Sequence, residues 1–153
     1  MHKFLSSLLA LALLLTMSMG LVAAQDEVYD EGRYSVPIPT NWTIEETDTE
    51  TILQSPEGTI KLHFLVQPAT GSAEEMVADA WALVKPDFAA EVDSTLEPPT
   101  QPPVDAALVV NYKMGDDNMV YQAVAQTVGD EVHLLLIEGP LVDVQRRNAQ
   151  ISI

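Results

Sequence analysis

Apolar positions recur with period two along much of the chain after residue 33, the signature of strands with one buried face. "YSVPI" sets Tyr34, Val36 and Ile38 on one side. Pro37 has no backbone donor, so this first strand of the sheet is expected at an edge or paired on one side only. Pro39 stops it from continuing, and Trp42 opens the next strand as a large apolar anchor. "NWTIEETDTETILQS" places Trp42 and Ile44 on one face, turns through the polar Thr47 to Thr49 and returns through Ile52, which reads as a hairpin. In Ser55-Pro56-Glu57-Gly58 the proline stands second and the glycine fourth, as a type I turn favours. "TIKLHFLV" then alternates Ile60, Leu62, Phe64 and Val66 against Lys61, His63 and Leu65.

The period changes at "SAEEMVADAWALVKP". Ser72 and Glu75 have capping-box spacing, Met76, Val77, Ala80, Trp81 and Val84 make one apolar stripe, and Pro86 closes the run, so a helix is predicted here. "STLEPPTQPPVD", Ser94 to Asp105, carries four prolines and reads as a stiff extended connector rather than a domain boundary. Three strands follow, "VDAALVVNYK", "NMVYQAVAQTV" and "EVHLLLIEG", joined through Gly115 to Asn118 and through the two-residue loop Gly129-Asp130, whose leading glycine suits a type II′ hairpin. "PLVDVQRRNAQISI" has proline at a first-turn position and apolar Leu141, Val144, Ile151 and Ile153, which predicts a second helix. The expected fold class is α+β, an antiparallel sheet of about six strands flanked by two helices. Trp42, Phe64, Trp81, Val110, Val124 and Leu136 are its expected core.

The N-terminal residues change the picture of where the protein works. "MHKFLSSLLALALLLTMSMGLVAAQDE" has Lys3 as a basic flank, an apolar run to about Leu15, and small Ala24 preceded by Val22 two positions earlier. It reads as a signal peptide over residues 1–24, with cleavage before Gln25, leaving residues 25–153 as a single secreted or extracytoplasmic domain. The competing reading is an uncleaved anchor, since the apolar stretch nearly reaches the about 20 residues that span a bilayer. With no cysteine in the chain, lipid attachment through one is excluded and no disulfide contributes stability. The last helix ends at Ile153 on an apolar residue with no cap, which leaves open a chain cut short in that helix.

Charge narrows the partners. Twenty-three Asp and Glu face seven Lys and Arg, a net −16, and such a field repels phosphate backbones. No nucleic-acid partner and no membrane contact after signal cleavage are expected, and a monomer that meets a protein partner is.

The candidate chemistry is sparse. His63 and His133 are the histidines beyond the leader, both within predicted strands and far apart in sequence, without a third ligand or a His-Glu-x-x-His pattern. They read as ordinary strand histidines. No serine lies in a Gly-x-Ser-x-Gly elbow or three residues before a lysine. "GDDN" at Gly115 to Asn118 and "EETDTE" at Glu45 to Glu50 lack the ordered oxygen spacing of an EF-hand and read as solvated turns. Asn41-Trp42-Thr43 matches the glycosylation acceptor pattern only formally. The sequence therefore assigns no catalytic, cofactor-binding or metal-binding residue, and the chain is expected not to be an enzyme.

The order of elements, carried by "YSVPIPTNW" at Tyr34 to Trp42, the "SPEGTIKLHFLV" strand, the capped helix at Ser72 and the closing helix after Gly139-Pro140, resembles the PsbP and Mog-type α/β/α sandwich. The resemblance covers nearly all of the chain beyond the leader. It implies an antiparallel sheet sandwiched with helices, in a family that includes an extrinsic photosystem subunit, Ran-binding proteins and bacterial extracytoplasmic domains. What such members share is a scaffold rather than a chemistry, and no partner-binding residue carries over. The leading expectation is an exported non-catalytic module for protein interaction or structural support. The alternative, from a looser resemblance, is the N-terminal accessory domain of a β-lactamase-like serine hydrolase encoded downstream.

Overall fold

A computed structural model describes residues 27–30, 32 and 34–151. The expected signal peptide and Ile153 lie outside the described residues. Contacts among the described residues cluster into two units that divide between Thr40 and Asn41.

In the first unit, β1 (Glu27–Asp30) pairs antiparallel with β2 (Ser35–Ile38), setting Tyr29 opposite Val36 and Val28 opposite Pro37. Pro37 thus lies in a strand paired on one side, as its missing donor requires. Tyr34, Val36 and Ile38 do not open the large sheet, however. Their strand belongs to a separate two-stranded ribbon, because the short "EVYD" segment, too brief to show a period, supplies a local partner.

The second unit is built on one antiparallel sheet in the order β3-β4-β5-β9-β8-β7-β6. Its strands are β3 (Thr43–Glu46), β4 (Thr51–Gln54), β5 (Lys61–Pro68), β6 (Val92–Leu96), β7 (Ala106–Tyr112), β8 (Met119–Val128) and β9 (Glu131–Pro140). Helix α1 (Ala73–Val84) separates β5 from β6, and α2 (Leu141–Arg146) and α3 (Asn148–Ile151) follow β9. The fold class is the α+β sandwich expected from the sequence.

Period two decides which residues meet α1. Leu65 lies beside Leu134, Leu134 beside Ala125 and Ala125 beside Leu108, and this row packs against Met76, Val77, Ala80 and Trp81 of the helix. Both halves of the capping box form: the Glu75 amide donates to Ser72 Oγ at 3.3 Å, and the Ser72 amide donates to Glu75 Oε2 at 2.9 Å. The opposite face carries Leu53, Leu62, Phe64 and Ile137, all buried. There Trp42, also buried, donates from Nε1 to Gln150 Oε1 of α3 at 3.3 Å.

Val124 is the expected core residue that falls elsewhere. On β8 the buried side is Ala123 and Ala125, while Val124 is half-buried on the other face. The strand is apolar on both sides, so period alone does not set its phase. The bulk of Trp81 decides it, since small residues beneath leave room for the indole.

Two further expectations change. The connector from Ser94 does not start as a loop: Ser94, Thr95 and Leu96 belong to edge strand β6, paired with Asn111, Val110 and Val109. All five β6 residues are exposed, so no apolar alternation marks the strand. The closing helix is two short segments broken at Arg147, with Ile151 buried but no buried residue in α2. By contrast the β8–β9 loop is the expected two-residue turn, with Val128 opposite Glu131 and positive φ at Gly129 (61°) but not at Asp130, which distinguishes type II′ from type I′.

Candidate functional site

The most concentrated titratable chemistry lies on the α1 side of the sheet. Hairpin β3–β4 turns through Thr47, whose Oγ1 accepts from the Glu50 amide at 3.1 Å, and this fixes Glu50 at the start of β4. From there Glu50 Oε2 accepts from His63 Nδ1 at 2.7 Å. The other imidazole nitrogen, Nε2, stands 3.4 Å from Glu138 Oε1, within ion-pair range but without hydrogen-bond alignment. Glu138 Oε2 accepts from Lys85 Nζ at 3.3 Å. The result is a chain of alternating groups, Glu50, His63, Glu138 and Lys85, that joins four separate stretches of sequence.

Its electrostatics follow from burial and pairing. His63 is 3% exposed. The Glu138 carboxyl is held below its ordinary value by the contact with His63 and, more weakly, by Lys85, against the opposing effect of burial. Burial works against the charge on Lys85, but the Glu138 carboxylate, with smaller contributions from Tyr121 and Asp87, raises the ammonium's pKa. The Lys85 ammonium also sits 5.7 Å from the centre of the Tyr121 ring.

Beside this cluster Trp81 stacks on Phe88 with centroids 4.3 Å apart, and Tyr112 and Tyr121 meet both rings edge-on. Burial raises both phenols, with the Trp81 indole drawing Tyr112 slightly the other way. Although it is close enough to influence Tyr112, Trp81 Nε1 has no acceptor at bonding geometry. Next to these rings an open groove of about 310 Å³ lies between α1 and the β6–β7 edge, lined mainly by Val77, Trp81, Phe88, Val92, Val110 and Tyr112. It is hydrocarbon-rich and contains no nucleophile–base pair.

The two strand histidines are not brought together. His63 pairs with Leu136 and His133 with Val66, and the odd spacing between His63 and Val66 puts the imidazoles on opposite faces of the sheet. His133 Nε2 lies 3.9 Å from Glu131 Oε2. His63 is also more than an ordinary strand histidine, since it is buried between two carboxylates. One signal for this was available: Glu138 interrupts the apolar "HLLLIEG" run. The partnership with Glu50 had no signal, because it depends on hairpin register.

Gly115 to Asn118 is a turn closed by the Asn118 amide on the Gly115 carbonyl at 3.1 Å. Among the described residues no group of three or more His, Asp or Glu is placed to hold a metal ion, and no helix is long and apolar enough to cross a membrane.

No family profile matches the chain, and no curated protein matches it. Among solved structures it is similar to the cyanobacterial PsbP (CyanoP) of Synechocystis sp. PCC 6803, with a TM-score of 0.62, 12% identity, and coverage of 87% of this chain and 91% of that one. The comparisons give no support to a link with a β-lactamase-like hydrolase. At this identity the likeness concerns architecture, and it agrees with the strand order and helix placement above: the chain has a PsbP-like α+β fold.

Proposed function

We propose that this chain is an exported, monomeric, non-catalytic module that binds or supports a protein partner. The observation that carries the reading is the separation of reactive groups from open surface. The imidazole best suited to acid–base work is 3% exposed and engaged with Glu50, whereas the groove that solvent reaches is lined mainly by aromatic and aliphatic side chains. A general base must reach the proton it removes, and His63 has no such access. Apolar open surface beside a strand edge that has no ladder partner among the described residues is instead suited to recognition.

Export is part of the same proposal, resting on the basic flank, apolar run and small residues of the N-terminus. N-terminal sequencing of the exported protein should begin at Gln25. For the function itself, the purified protein should turn over no ester, β-lactam or peptide substrate above background. Turnover abolished by a single point substitution would overturn the reading.

A further inference from the structure

We propose that the outer edge of β6 and the apolar groove beside it form a docking site for one extended, Lys- and Arg-bearing segment of a partner protein. The inference rests on the binding-module reading above. The segment adds to β6 as a further strand and sets alternate apolar side chains into the groove.

Several observations on this corner of the fold converge. β6 closes the sheet order, so the side of the strand away from β7 has no ladder partner among the described residues. Its apolar residues are not covered: Val92 is 48% and Leu96 60% exposed. The register places Val92 beside Tyr112 and Thr95 beside Val110, so these two β6 residues share the α1 face with the groove walls. A strand laid along β6 would therefore direct every second side chain to the same face. The flank of α1 on this side carries the small exposed residues Ala78 and Ala82, which keep the groove open.

Charge selects the occupant. Glu74 lines the groove, Asp93 lies within β6 and Glu97 follows it, and among the described residues none of the three forms an ion pair. Glu91 has a cation, Lys113 at 3.0 Å. A second copy of this chain would bring another net −16 to the edge, which opposes self-pairing. A basic strand instead meets complementary charge on arrival. The register slip between Val92 and Ser94 and the donor-less Pro98 and Pro99 limit regular pairing to Ser94–Leu96, so affinity has to come jointly from a short ladder, the groove and charge.

The probe is the synthetic heptapeptide Lys-Val-Arg-Phe-Lys-Val-Arg, set against its counterpart with glutamate at each basic position and against a form N-methylated at alternate residues. Binding to the full exported chain is followed by amide hydrogen exchange and by the Trp81 indole resonance. The basic peptide should bind, slow exchange across Ser94–Leu96 and shift the indole signal, with affinity that falls as salt is added. N-methylation, Asp93→Lys combined with Glu74→Lys, or filling the groove by Ala82→Trp should each cost at least about tenfold in affinity. All three substituted positions are exposed, so the fold is retained and is checked by the unfolding midpoint.

Failure of the basic peptide to bind, equal binding of the acidic peptide, unchanged exchange at β6, or self-association of the free protein through β6 would each overturn the inference. None of these produces substrate turnover, so the non-catalytic reading stands or falls separately.

Discussion

Gly139 shows how tightly one residue of this fold can be specified. A Cβ there would lie 3.0 Å from Ile60 Cγ1 and 3.2 Å from the Ile60 backbone, against a residue that is itself fully buried. Gly139→Ala should destabilise by about 1–3 kcal/mol through overpacking, read as a lower urea midpoint. Trp81 is the converse case, a side chain whose removal leaves a void among Phe88, Tyr112 and Tyr121. Trp81→Ala should cost about 3–5 kcal/mol and lower the thermal midpoint by on the order of 10 °C. Glu138 makes stability depend on pH. Its carboxyl is depressed in the folded protein, so its contribution is complete above the ordinary value of 4.5 and is lost as pH falls through the lower folded value. The stability gap between wild type and Glu138→Gln should therefore be widest above about pH 5 and shrink under acid. Urea titrations at a series of pH values check this, and a gap independent of pH would contradict it.

Helix α1 is the element most completely encoded in its own residues. Its cap, its stripe and its proline stop all lie within one short stretch, and the structure forms each of them. Ser72→Ala should lower stability by about 1 kcal/mol through loss of the cap, measured by urea unfolding. The final segments contrast with it. Arg147, at the break between α2 and α3, donates from Nε to Glu57 Oε2 at 3.1 Å and from Nη1 to Gln150 Oε1 at 2.9 Å. Arg147→Ala should speed amide exchange at Gln150 and Ile151 while leaving α1 unchanged. These differences explain what the sequence made legible. Local patterns sufficed for α1, for the Ser55–Gly58 turn and for the β8–β9 hairpin, where cause and consequence are neighbours in the chain. They failed for β6, whose exposed residues show no alternation, for the phase of β8, which is apolar on both sides, and for β2, whose partner is the brief β1. The site was less legible still. Glu50 meets His63 only through the β3–β4 register, and Phe88 reaches Trp81 only after the chain turns beyond Pro86.

At the scale of the whole molecule, charge and chemistry are distributed differently. The sequence carries a net −16, while the two carboxylates that meet His63 are drawn into the fold. Screening by salt should stabilise the free protein by relieving self-repulsion, yet weaken its binding to a basic partner. The same addition of salt thus moves stability and affinity in opposite directions. Inside the fold, the His63 cluster ties together four separate stretches of the chain. Urea unfolding of His63→Gln measures how much this cluster contributes to stability. Removing the imidazole takes the Nδ1 partner from Glu50 and the neighbour at 3.4 Å from Glu138, so a loss of about 1–3 kcal/mol is expected. Residues that serve catalysis are often retained at a cost to stability, so a variant as stable as wild type, or more stable, would contradict the structural role assigned to His63.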